Sequence, residues 1–159
     1  MPERLLTEDD GVAAWAALLR THAAVVPKLA HALTEVDLPL SWYDVLLVLN
    51  SAPDRRLRMI DLGAQAVLSR EQISRVVTEL ERAGYVERQP NPEDKRSSYA
   101  AITSAGRARL RKAAPTYLGA IEEHFAQHLT DDEIGVLSGL LWRVVRAEER
   151  PQPRSKRST

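Results

Sequence analysis

The chain contains no cysteine. That excludes a disulfide framework, a thiolate nucleophile, a cysteine redox switch and a cysteine-ligated zinc. No apolar run approaches the roughly 18 residues of a membrane-spanning helix. The opening Met1-Pro2-Glu3-Arg4 lacks the basic-then-apolar pattern of a signal peptide, so a cytoplasmic location with no membrane partner is expected. There is no glycine-rich phosphate loop, no His-Glu-x-x-His and no Gly-x-Ser-x-Gly, so neither an enzyme nor a cofactor is expected. Glu123-His124 and His128 set two imidazoles four residues apart on an expected helix. Two histidines without a third ligand read as a solvated pair, and no metal is expected. What is present is 159 residues with 44 % apolar content, enough to bury a core without staples.

Charge of one sign is also missing overall: 22 Lys and Arg balance 22 Asp and Glu. The balance is a cancellation between segments. Residues 1–52 are net −4, residues 53–112 are net +5 with 13 basic and 8 acidic side chains, residues 113–150 are net −4, and residues 151–159 add +3. A basic middle between acidic flanks points to a polyanionic partner for the middle.

Apolar residues at helical spacing (Val12, Trp15, Leu18, Leu19, Val25, Val26, Leu29, Leu33) predict a first helix from Thr7 to about Val36, kinked or split at Pro27. Ser41 is read as the cap of a second helix, with Asp44 as its acidic partner and Val45, Leu46, Val48 and Leu49 as its apolar face. A third helix is expected over about Met59–Ala66. After a turn at Val67-Leu68, Ser69-x-x-Gln72 forms a capping box for a fourth. Ile73, Val76, Val77 and Leu80 give that helix its apolar stripe, and Gly84 its left-handed stop. Two helices joined this closely form a helix-turn-helix.

Beyond Gly84 the pattern becomes strand, loop, strand. Tyr85–Gln89 and Ser97–Ile102 flank a loop rich in proline and charge, so a wing follows the helix-turn-helix directly. A long helix from Thr103 or Ser104 to about His128, bent at Pro115, and a last helix opened by Thr130-x-x-Glu133 complete the frame. The tail 151–159 has no periodicity and reads as a disordered basic segment. The expected fold is mainly α with a small β-wing. Residues 1–37 form an N-terminal dimerisation helix and 38–103 a winged helix-turn-helix lobe, with its recognition helix at about 69–83 and its wing at about 85–102. Residues 104–150 form C-terminal dimerisation helices.

With its stripe buried, the fourth helix presents Ser69, Arg70, Gln72, Ser74, Arg75 and Thr78. These types suit a major groove: Arg pairs with guanine, Gln with adenine, and Ser reaches bases or phosphates. The N-terminal turn is the end that enters the groove in helix-turn-helix docking. Which side chain reads a base stays open.

The stretch Leu68-Ser69-Arg70-Glu71-Gln72-Ile73-Ser74-Arg75-Val76-Val77-Thr78-Glu79-Leu80-Glu81-Arg82-Ala83-Gly84-Tyr85-Val86-Glu87-Arg88 resembles the multiple antibiotic resistance regulator (MarR) family. So do Asp94-Lys95-Arg96 and Ile102-Thr103-x-Ala105-Gly106 that follow it. Ile102 and Tyr85 stand where members usually carry leucine. The resemblance spans about residues 8–148. It implies a homodimer on double-stranded, pseudo-palindromic operator DNA, usually a repressor. It also implies that Arg96 enters a minor groove, that Asp94 positions it, and that Lys95 serves phosphate. The physical basis is that a narrow minor groove concentrates negative potential around an inserted guanidinium.

Apolar surface left over on the first and last helices points to isologous pairing. Candidate interface residues are Trp15, Leu18, Leu19, Leu137, Leu140, Leu141 and Trp142, each alternatively part of the intra-chain core. The resemblance further implies a small aromatic or phenolic ligand. Trp15, His22, Trp42 and Tyr43 are candidates to line its cleft and Arg20 to pair with its charge, unless these aromatics simply pack. The alternative function is a ligand-independent winged-helix DNA binder or a protein-interaction module.

Overall fold

The computed structural model describes residues 10–149; the start of the expected first helix and the tail 151–159 lie outside them. In chain order the elements are α1 (Asp10–Thr34), α2 (Leu40–Ser51), a 3-10 turn (Pro53–Arg55), β1 (Arg56–Arg58), α3 (Met59–Gln65), α4 (Arg70–Arg82), β2 (Val86–Pro90), β3 (Ser98–Ile102), α5 (Ser104–His124), a second 3-10 turn (Ala126–His128) and α6 (Asp131–Glu148). The strands form one antiparallel sheet in the order β1-β3-β2. The fold is mainly α with a small wing, as expected from the sequence.

One apolar cluster holds the lobe together. Leu33 comes from the end of α1, Leu38 from the turn after it, Leu46 and Leu49 from α2, Leu62 from α3, and Val77 and Leu80 from α4, and all are essentially inaccessible to solvent. Val86, Ala100 and Ile102 add the inner face of the sheet, and Leu110 and Ala113 one face of α5. Each such aliphatic burial contributes about 1.5–3 kcal/mol before the entropy of ordering is charged against it. α1 enters this core only through Leu29 and Leu33, and α6 buries no residue at all.

Several expectations are corrected. Ser41 does not cap α2. The helix starts at Leu40, and the carbonyl of Pro39 accepts from the amides of Trp42 and Tyr43 at 3.0 Å. Proline's fixed φ starts the turn without a side-chain cap, which leaves Ser41 and Asp44 inside the helix. α1 and α5 each continue through their proline, Pro27 and Pro115, without dividing. α5 ends at His124, where Phe125 leaves helical geometry (φ −139°, ψ −64°). His128 therefore lies in the following 3-10 turn, and the two imidazoles do not share a helical face. Among the described residues no group of three potential metal ligands occurs. β1 was not foreseen: three residues, two of them arginine, paired to β3 through Leu57 and Ala100.

The turn of the helix-turn-helix is a Schellman motif. The Leu68 amide donates to Gly63 O at 3.0 Å and the Val67 amide to Ala64 O at 3.4 Å, with Val67 at φ 54°. A β-branched residue there is strained, because its Cβ crowds the carbonyl that follows. The same motif ends α4 with Gly84 at φ 80°: Tyr85 N–H donates to Leu80 O at 2.9 Å and Gly84 N–H to Glu81 O at 3.0 Å.

Candidate nucleic-acid interface

α4 is held in place from both ends. At its start the Ser69 hydroxyl accepts from Gln72 N–H (3.2 Å) and the Gln72 side-chain oxygen accepts from Ser69 N–H (2.9 Å), the reciprocal box expected from the sequence. This has a chemical consequence. Gln72 commits one lone pair of its carbonyl oxygen to the cap, which fixes the side chain over the helix start and leaves its amide NH2 as a free donor. At its other end, Thr103 ties α4 to α5. Its hydroxyl donates to Gly84 O (2.7 Å) and accepts from Gly106 N–H (3.0 Å), while its own amide donates to Tyr85 O (3.0 Å).

The outward side of α4 carries Arg70, Gln72, Ser74 and Arg75, all exposed. Ion pairs among the described residues join Arg58 to Asp61, Arg88 to Glu81 and His124 to Glu123. Arg70, Arg75 and Arg96 are in none of them. Thr78 differs from its neighbours. Its hydroxyl donates to Ser74 O and accepts from Arg88 Nη2, both at 2.9 Å, so it is half-buried and engaged. The partner, Arg88 on β2, also contacts Glu81 through Nε at 3.3 Å and so braces the wing against α4. Sequence reasoning missed Arg88. The available signal was register: it shares the inward-facing side of β2 with buried Val86, where a guanidinium must find partners.

The wing tip is an ordered turn. Asp94 Oδ1 accepts from the amide of Arg96 at 2.9 Å, and Asp94 O accepts from the amide and hydroxyl of Ser97. Asp94 thus aims Arg96 through the backbone and leaves the guanidinium unpaired. Asn91, also missed, is the hub. It is buried, its amide donates to the Ser97 hydroxyl at 2.8 Å, and its carbonyl accepts from Glu93 N–H at 3.0 Å. Lys95 is exposed beside Arg96. On the outer face of the sheet the Arg56 guanidinium lies 4.8 Å above the Tyr99 ring and donates to Gln89. Between α4 and the wing opens a cleft of about 650 Å³ lined by Arg58, Arg70, Arg88 and Arg96, with Asp94 the acid among its lining residues.

The candidate ligand residues are spread over two regions. Trp15, Arg20 and His22 lie on the exposed part of α1. Trp42 and Tyr43 belong to the lobe: Trp42 Nε1 donates to Glu79 on α4, and buried Tyr43 stacks on Tyr117 of α5 with centroids 4.3 Å apart. Burial pushes both tyrosine hydroxyls above their ordinary pKa, and nearby Asp44 acts in the same direction. None of the seven interface candidates is intra-chain core. Trp15 is 59 % exposed and Trp142 56 %, while Leu137, Leu141 and Trp142 line an open apolar groove of about 460 Å³ on α6 with Phe125, Ile134 and Val145.

A capped helix with unpaired arginines, set beside a wing whose tip presents another, defines a winged helix-turn-helix built for DNA. The comparisons agree. The profile of the MarR family matches residues 36–97. The structure is similar to that of AbsC, a MarR family transcriptional regulator from Streptomyces coelicolor: TM-score 0.76 at 25 % identity, covering 90 % of this chain and 97 % of that one. A second MarR family regulator from the same organism, solved in complex with DNA, gives TM-score 0.76 at 30 % identity and 88 % coverage of both chains. The transcriptional repressor YetL of Bacillus subtilis is 28 % identical over 105 residues, which is 64 % of this chain and 63 % of that protein. The chain belongs to the MarR family of DNA-binding transcriptional regulators. Among the described residues no helix is long and apolar enough to cross a membrane.

Proposed function

We propose that the chain acts in the cytoplasm as a homodimeric, sequence-specific repressor whose hold on its operator is released by a small aromatic or phenolic ligand. The observation that carries the DNA reading is the placement of three exposed arginines without acid partners on the capped helix and the wing beside it, Arg70 and Arg75 on α4 and Arg96 on the wing tip. Two α4 helices enter successive major grooves about one helical turn apart. Ser69, Arg70, Gln72, Ser74 and Arg75 face bases and phosphates, Thr78 steadies Arg88, and the Asp94-Lys95-Arg96 tips reach the flanking minor grooves and their phosphates. Dimerisation is supported by α6, an 18-residue helix with no buried residue, and by the exposed Trp15, Leu18 and Leu19 of α1. Ligand release is supported by the position of Trp42 and Tyr43, which touch both α4 and α5, with Arg20 and His22 available on α1 for an anion.

The deciding experiment is selection of bound sequences from genomic fragments, followed by titration of the selected duplex and a random duplex. Arg96→Ala weakens binding to the selected duplex; unchanged affinity at moderate salt removes the wing from the interface. Arg75→Ala costs about 1–3 kcal/mol on the selected duplex and less on the random one if it reads a base. Equal losses make it a phosphate contact. Sedimentation showing a stable monomer at micromolar concentration overturns the dimer. A compound library that leaves operator affinity unchanged overturns ligand release.

A further inference from the structure

Glu79 stands four residues beyond Arg75 on α4, where side chains are neighbours and an Arg–Glu pair can form. It also lies three residues before Arg82. Neither pair is made. Glu79 Oε2 instead accepts a hydrogen bond from Trp42 Nε1 at 3.0 Å, across 37 residues of sequence. The indole has little freedom to let go. It packs against the core of the lobe and meets the Tyr85 ring edge-on, with centroids 6.3 Å apart and planes at 76°. A donor fixed in this way turns the carboxylate toward α2 and away from the arginine face.

We propose that Trp42 is a positioning residue for DNA binding: by holding the Glu79 carboxylate against α2, it keeps the Arg75 guanidinium unpaired and available to DNA. The inference rests on the DNA-binding reading of α4. An arginine paired within its own helix must give up that partner to meet a base or phosphate, and the released carboxylate would repel the same phosphates. An i,i+4 helix pair is worth about twofold and an exposed ion pair at most about fivefold in an equilibrium constant; repulsion of phosphate by the released carboxylate adds to the pairing loss, so an effect of up to about fivefold in affinity is expected. Glu71, four residues before Arg75, carries no such restraint, but it is common to every variant below and cancels.

The test is a cycle titrated on the selected duplex at moderate salt. Trp42→Phe keeps the ring packed and removes only the donor; it weakens binding by up to about fivefold. Glu79→Gln alone stays within about twofold of the parent, because its carbonyl still accepts from Trp42. The double variant returns to within about twofold, since the freed side chain no longer carries a charge. Rescue is the result a purely structural tryptophan would not give. Parent-like binding by Trp42→Phe, or a double variant as weak as Trp42→Phe, overturns the proposal. If Trp42→Phe fails to fold, Glu79→Gln decides: a gain of about fivefold would show that Glu79 already competes for Arg75, and would overturn it, whereas an unchanged affinity supports it. A parent chain that binds neither the selected nor a random duplex would instead refute the DNA-binding reading beneath it.

Discussion

Replacing Gly106 with alanine tests the joint between the recognition helix, the wing and α5. A Cβ at this position would lie 2.2 Å from Tyr85 O, 2.9 Å from Ile102 Cγ1 and 3.0 Å from Tyr85 C. A carbon and a carbonyl oxygen tolerate about 3.3 Å, so roughly 1 Å must be found by moving backbone. Moving the Tyr85 carbonyl loosens its bond with Thr103 N–H, and moving α5 loosens the cap of Thr103 on Gly106. Each loss costs about 1 kcal/mol. Overpacking adds about 1–3 kcal/mol. Alanine's better helix propensity returns up to about 1 kcal/mol. The net expectation is a destabilisation of about 2–4 kcal/mol, read as the shift in urea midpoint at fixed protein concentration, since association changes apparent stability. Gly119→Ala is the matched comparison. It lies in the same helix with nothing within 4 Å of the added carbon, and it gains up to about 1 kcal/mol. A Gly106→Ala protein within about 0.5 kcal/mol of the parent refutes the close approach on which the reasoning depends.

Val67→Gly relieves left-handed strain of about 1–2 kcal/mol at a side chain that is 88 % exposed, against about 0.5–1 kcal/mol of added chain entropy. A higher urea midpoint is expected, and a lower one refutes the strain. Burial raises the Asp44 pKa to about 6 from its ordinary value near 3.8. The folded state then binds a proton that the unfolded chain has released between about pH 4 and 6, so stability falls as pH rises through that window and stays reduced above it. Asp44→Asn is therefore expected to stabilise by about 1–2 kcal/mol at pH 7.5, after allowance for partial solvent screening, with the advantage fading toward pH 4. Urea titrations at the two pH values check it, and a pH-independent difference refutes it.

Local rules reached the elements whose signals lie within a few residues. Ser69 with Gln72, Thr130 with Glu133, and the stop at Gly84 are all set within one turn of helix, and each forms as the sequence indicates. Ser41 misled because a capping residue type stood two places beyond a proline that starts the turn by itself. β1 was not legible because three residues are too few for alternation to signal a strand, and the strand exists only through β3, some forty residues on. The candidate interface divides the same way. The exposed faces of α4 and the wing tip follow from periodicity and loop composition. Arg88 on Thr78, Trp42 on Glu79 and Asn91 under the tip depend on where tertiary packing brings distant side chains. The apolar face of the first helix is a further case. Periodicity shows that a face is apolar, but Trp15 and Leu19 are exposed within their own chain while Leu29 and Leu33 are buried.

Seven arginines of the basic middle divide between two tasks. Arg58 is committed to Asp61 at 2.8 Å, Arg88 to Thr78 and Glu81, and Arg56 to Gln89 and the Tyr99 ring. Arg109 donates from α5 to the carbonyl of Val36 at the end of α1. These four join elements of the lobe or brace their ends. Arg70, Arg75 and Arg96 make no ion pair among the described residues and lie on the surface proposed to meet DNA. The sorting matters energetically because exposed pairs stabilise a fold by no more than about 1 kcal/mol each, so the committed arginines act mainly by fixing geometry. An unpaired guanidinium, by contrast, releases counterions from DNA without first breaking a bond of its own. A chain with zero net charge can therefore present a DNA surface whose attraction is concentrated on one helix and the wing tip beside it, with little long-range charge to hold it on DNA of any sequence.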